Sequence, residues 1–221
     1  MARPMSPSSS RSRSHAASAA APRGRLEWRR LLDWLVEDGV ITAEDAEQVS
    51  RRFGAGQSSL HALVRLGGAG LLKGGKPLDV EALTEWLAGR TQMPYLRIDP
   101  LKVDVGRVAD VMSVQYAELR KVLPVTVGAA EVTVATSEPF DLGWVSEIES
   151  HSRKRVRLVL SNPDEIARYT TEFYSLAKSV RAAQKTGEVS ATANFEQLVE
   201  LGKSNKQLDA NDQGVVQVVD W

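Results

Sequence analysis

Apolar residues recur at helical spacing through the first third of the chain and then give way to alternation. Trp28, Leu31, Leu32, Leu35 and Val36 fall at i, i+3, i+4, i+7 and i+8, one stripe that predicts a helix over Leu26–Asp38. Gly39 ends it, since glycine takes positive φ without a Cβ penalty. Thr42 is placed to cap a second helix with Glu44 and Asp45 in its first turn and Ala46, Val49 and Phe53 facing inward. Ser58 or Ser59 caps a third, carrying Leu60, Leu63, Val64 and Leu66. Gly67–Pro77 reads as a glycine-rich loop. Asp79 caps a fourth helix with Val80, Leu83 and Leu87 buried and Trp86 beside them. Helices this short hold only by packing together.

The pattern then changes period. Met93–Pro100 is extended, because each proline drives its predecessor out of the helical region. Val105–Met112 and Ser113–Arg120 form one broken helix or two short ones. Val122–Val127 and Glu131–Thr136 are rich in β-branched residues and are joined by Gly128-Ala-Ala130, a hairpin. Pro139 stops the second strand. Leu142, Val145 and Ile148 predict a helix, and Arg155–Leu160 a third strand. A small sheet covered by helices on one side is expected. Asn162-Pro-Asp-Glu165 starts a last long helix with Ile166, Tyr169, Phe173, Leu176 and Val180 on one stripe. Beyond it Asn194 caps a short amphipathic segment, Phe195–Gly202, and Gly214–Trp221 begins a new apolar run.

The fold class is therefore α+β, divided into a disordered tail (1–25), a helical subdomain (26–92), an α+β sheet domain (93–182) and a linker with a short helix (183–221). The tail is rich in Ser, Ala, Arg and Pro and has no acidic residue. It lacks the apolar stretch of a secretory signal.

Composition narrows the function classes. The 28 Lys and Arg balance 28 Asp and Glu, so no overall field draws nucleic acid or an acidic membrane. The absence of cysteine excludes disulfides and thiolate metal sites, and the three histidines lie far apart. No apolar run approaches the roughly 20 residues of a membrane helix. Gly70–Lys76 has the spacing G-x-x-x-x-G-K, but Pro77 stands where a phosphate loop needs a hydroxyl for Mg²⁺. Asp33, Glu37 and Asp38 read as solvated-face residues, His61 as half-buried packing and Arg153-Lys-Arg155 as a solvated turn. No catalytic or metal-binding constellation is expected. Arg30-Leu31 with Leu35-Val36 and Gly39, and Arg65-Leu66-Gly67 with Leu71-Leu72 and Gly75, repeat one outline. Arginines repeated in this way suit stacking on bases and forking onto phosphates, or are ordinary surface arginines of a duplicated hairpin.

Met93-Pro-Tyr-Leu-Arg-Ile-Asp-Pro, Val122-Leu-Pro-Val, Ser137-Glu-Pro-Phe-Asp and Val156–Ser161 followed by Asn162-Pro-Asp-Glu-Ile resemble the N-terminal region of type II secretion and type IV pilus assembly ATPases. The resemblance covers about Arg29 to Tyr174, and Gly214–Trp221 is similar to the segment before the next N-terminal domain of such ATPases. It implies a fragment of a cytoplasmic ATPase without its motor. ATP and Mg would belong to that motor, a hexamer in the family. It also implies docking on the cytoplasmic domain of an inner-membrane type II secretion protein of the L type. The fragment would then be peripheral to the inner membrane through that partner, with no nucleic acid bound. In some relatives the repeated motif R-L-G-x-x-L-V-x-x-G binds cyclic di-GMP. The matching positions here are Arg30, Leu31, Leu35, Val36, Gly39, Arg65, Leu66 and Gly67. Leu32 stands where the pattern has Gly, Phe53 and Arg90 where it has Gln, and the second copy carries one extra residue.

Overall fold

The computed structural model describes residues 23–186 other than Ala55 and Gln57. Most of the expected tail, the Asn194–Gly202 segment and the Gly214–Trp221 run lie outside these residues.

Three short helices come first: α1 (Trp28–Glu37), α2 (Ala43–Phe53) and α3 (Ala62–Gly67). Gly39, at φ 64°, turns the chain out of α1 as expected. Thr42 caps α2 in a reciprocal box, accepting from the Asp45 amide while the Asp45 carboxylate accepts from the Thr42 amide. The Thr42 hydroxyl, and then its amide, hold the Asp45 carboxyl below the ordinary aspartate value. The cap of α3 is His61, whose Nδ1 accepts from the Leu63 amide, and not Ser58 or Ser59. The Ser58 hydroxyl is spent on the Leu60 amide, which leaves Leu60 outside the helix and exposed.

The expected loop Gly67–Pro77 is in fact a ribbon of β1 (Leu72–Lys73) and β2 (Lys76–Pro77), with Lys73 opposite Lys76. Gly74 and Gly75 both take positive φ, as a two-residue hairpin turn of the I′ kind requires. The G-x-x-x-x-G-K spacing thus lies on a hairpin and opens no helix. α4 (Val80–Thr91) follows, capped by Asp79. Leu31, Leu32, Leu35, Leu63, Leu66, Leu83 and Leu87 close into one core that also takes in Leu160 from the sheet.

After a 3₁₀ turn (Pro100–Lys102) come α5 (Val105–Val111) and α6 (Val114–Arg120), two helices broken at extended Met112 and restarted by the Ser113 cap. β3 (Val122–Val127) pairs antiparallel with β4 (Glu131–Thr136), and β5 (Arg155–Leu160) lies parallel to β4 after crossing through α7 (Val145–Ser152). The order is β3-β4-β5, and Tyr95 adds a parallel bridge to Leu160 on the far edge. The Met93–Pro100 link therefore also joins the sheet. Pro124 and a bulge sit on the outer strand β3, where a missing N–H is tolerated.

The sheet is covered on both faces, not one. Leu123, Val125, Ala135 and Val159 pack on α5 and on Ile166, Tyr169 and Phe173 of α8 (Pro163–Thr186). Val122, Val132 and Val134 pack on Met112, Ala117, Trp144 and Ile148. The reason is the alternation itself: each strand carries apolar side chains at both parities, so each face needs a cover.

Candidate functional site

The repeated-arginine outline is placed at the corner where α1, α2 and α3 meet. Trp28 opens α1 and meets Phe53, the last residue of α2, edge to face at 5.3 Å between ring centres. The Arg65 guanidinium lies 4.8 Å from the Trp28 ring and 4.5 Å from Phe53. It donates to the carbonyls of Phe53 (3.1 Å) and Gly56 (3.4 Å). Arg29 shares the Trp28 ring at 4.6 Å and donates to Gly54 O at 2.9 Å. Arg52, 5.6 Å from the Phe53 ring, donates to Gly68 O at 3.1 Å. The ends of α2 and α3 leave carbonyls without intrahelical partners, and these guanidiniums cap them where the helix dipole is negative.

Each sequence-derived candidate now has a place. Leu31, Leu35 and Leu66 are fully buried in the helical core and Val36 is half-buried against it. Gly39 serves its turn. Gly67 lets α3 approach α4, because a Cβ there would stand 2.6 Å from Val80 Cγ2 and 2.8 Å from its amide nitrogen. Arg65 is half-buried and committed to the corner. Arg30 is exposed and has no polar contact among the described residues. The residue that joins Arg65 at the ring is its neighbour Arg29. Sequence reasoning missed this because α1 periodicity separates Arg29 and Arg30 by about 100° but does not say which one meets α2.

At the Gln position of the second copy, Arg90 bonds Glu37 at 2.6 Å and also pairs with Asp38, with its guanidinium 4.9 Å from the Trp34 ring. Burial works against its charge, yet Asp38 and then Glu37 raise its pKa above the ordinary value. Trp86 donates to Asp38 at 2.9 Å. Glu37 and Asp38 are thus a clamp between α1 and α4 and not merely solvated.

A second cluster joins the helical part to the sheet. Glu138, in the turn after β4, accepts from the Leu26 amide at 2.7 Å and faces buried His61. Because His61 Nδ1 accepts from Leu63, its ring proton belongs on Nε2, which lies 3.1 Å from Glu138 Oε1 but off the hydrogen-bond direction. Glu81 receives both the Tyr95 hydroxyl and the Asn162 amide. Lys154, expected in a solvated turn, donates to Gly128 O and Ala129 O and pins the β3–β4 hairpin. What these side chains offer is positive charge, an edge-to-face ring pair carrying guanidiniums, and ties between segments. No helix among the described residues is long and apolar enough to cross a membrane.

A small sheet between helical layers, with a helical bundle fastened to its end, defines the class: an α+β module. Residues 91–180, from the end of α4 into α8, match the model of the MshEN domain family. The type IV pilus assembly ATPase TfpB of Acinetobacter baylyi is 38% identical over 148 residues, which make up 66% of this chain and 25% of TfpB. The chain therefore spans about a quarter of the length of this curated relative, and the resemblance to the N-terminal region of such ATPases holds. Among solved structures, MshE with cdg aligns at a TM-score of 0.49 and 19% identity, covering 66% of this chain and 99% of that one. The N-terminal domain of XpsE aligns at 0.44 and 16%, covering 68% and 99%.

Proposed function

We propose that this chain is a non-catalytic docking and regulatory module of a type IV pilus or type II secretion ATPase. It recruits the motor to the inner-membrane platform by binding the cytoplasmic domain of a membrane assembly protein, and so works in the cytoplasm at that membrane. The observation that carries the reading is the 38% identity to a pilus assembly ATPase together with the MshEN match. The sheet supports docking through helical surfaces. Outer strand β3 is buried from Val122 to Val125 and carries Pro124 and a bulge, features that discourage an added strand. Co-purification of the full chain with the partner's cytoplasmic domain tests this. A complex that survives gel filtration is expected, and none at low salt with folded protein defeats the reading.

A second reading is a cyclic di-GMP sensor that uses Arg30 and Arg65. Its support is the exposed, uncommitted Arg30 beside a corner that already holds Arg65. Calorimetry separates the two roles. If the dinucleotide binds, Arg30→Ala abolishes the heat without altering stability by more than about 0.5 kcal/mol. Arg65→Ala costs about 1–2 kcal/mol of stability because the α2 carbonyls lose their cap. The absence of heat from the unaltered chain sinks the sensor and leaves docking intact.

A further inference from the structure

The zero net charge conceals an uneven surface. Arg52 and Asp45 border a groove lined by Ala69, Gly70, Leu71 and Leu72, and beyond it stands the β1–β2 ribbon. Leu71 is buried in the core. Leu72 is 56% exposed, and Lys73 and Lys76 are exposed around the Gly74-Gly75 turn. On the other side of Arg52, Arg29 and Arg65 continue the positive border around Phe53 and Trp28. None of these five cations forms an ion pair among the described residues. Of the acids on neighbouring turns, Asp45 is bonded by Thr42, Asp79 by the Ala82 amide and Glu47 is paired with Arg51, while exposed Glu44 has no polar partner among the described residues. The preceding sequence adds Arg3, Arg11, Arg13, Arg23 and Arg25 without an acid before Glu27.

We propose that the β1–β2 ribbon and its arginine border dock directly on an anionic lipid bilayer. An exposed leucine flanked by lysines on a narrow ribbon can enter the headgroup boundary while the ammonium groups reach lipid phosphates. Charge spread over several elements matches a planar field and not a single buried anion. Nucleic acid is the poorer match, since the Trp28 and Phe53 rings on which bases would stack already carry guanidiniums. The contact is independent of the protein docking proposed above, because it needs no partner.

Vesicle flotation of the full chain decides it, with phosphatidylcholine alone compared with phosphatidylcholine plus phosphatidylglycerol. The expected result is binding to the anionic vesicles only, released by salt. The double variant Lys73→Glu/Lys76→Glu lowers it by about tenfold or more. Leu72→Ser changes no charge and weakens it by about severalfold, and Lys178→Glu on α8 leaves it unchanged. Circular dichroism of each variant confirms the fold. Equal binding to neutral vesicles, no binding at all, or full binding by the double variant overturns the proposal. So does a single-stranded oligonucleotide that displaces the vesicles and is itself lost by the double variant.

Discussion

The helical and sheet regions place their long-range side-chain ties differently, although Lys154 and Arg107 also donate to carbonyls of the β3–β4 hairpin. In the helical region arginines turn inward on the backbone, and Arg29, Arg52 and Arg65 all donate to carbonyls at or just beyond the ends of α2 and α3. In the sheet region carboxylates receive N–H groups from distant segments, Glu138 from Leu26 and Glu165 from Ile98, while Glu149 ties the end of α7 to the nearby Val156 amide. Short helices have many end groups for their length, so cations at their C-termini add much. A sheet satisfies its own interior, and its need is to anchor the chain that enters and leaves it. A basic residue in the first region is therefore weak support for a ligand until its partners are known.

Substitutions in the two cores test whether the two regions unfold separately. Leu63→Ala in the helical core should cost about 2–5 kcal/mol and Phe173→Ala under the sheet about 3–5 kcal/mol. Since Leu160 of β5 is packed in the helical core and Glu138 ties both regions, each variant should shift one common urea transition. Two transitions with Leu63→Ala moving only the first would make the regions independent units. Next in size is Gly67→Ala, expected to cost about 1–3 kcal/mol because its new methyl group meets the Val80 backbone. Gly89→Ala in α4, with open space at that position, should instead add about 0.5–1 kcal/mol. Equal effects in thermal melts would remove close approach as the reason for Gly67. A comparably small effect belongs to Tyr174, whose hydroxyl donates to Met112 O at 3.0 Å. Burial pushes its pKa from 10.0 up to about 12, so the folded state favours the neutral phenol. Its contribution is whole below pH 10.0 and is lost as pH rises toward about 12. Tyr174→Phe should lose about 1 kcal/mol at neutral pH and show a flatter stability curve in that alkaline window.

Much of the architecture was legible because its signals are local. Thr42, Asp79 and Asn162 announce helices a few residues ahead, and the valines of β4 alternate within one strand. The ribbon at Gly74-Gly75 was readable in principle, since a Gly-Gly pair between short extended runs is a hairpin signal, but two-residue strands have no periodicity to count. The second covering of the sheet was hidden because the helices that form it come from both before and after the strands. At the candidate site, five of eight positions turn out to be core leucines or backbone-required glycines. A motif that places R, L and G together serves packing and recognition equally well on paper.

The order of residues alone determined most of the helices and the Thr42, Asp79 and Asn162 caps, the β3–β4 hairpin, the existence of a third strand and the family resemblance, since each depends on contacts within a few positions or on a linear signature. Only the tertiary structure decided that Arg65 belongs to Trp28 and Phe53, that Arg29 and not Arg30 joins it, and that Arg90 answers Glu37 and Asp38. The reason is geometric. A long cation can reach several partners from one backbone position, and the one it takes is set by how three short helices close around a shared core.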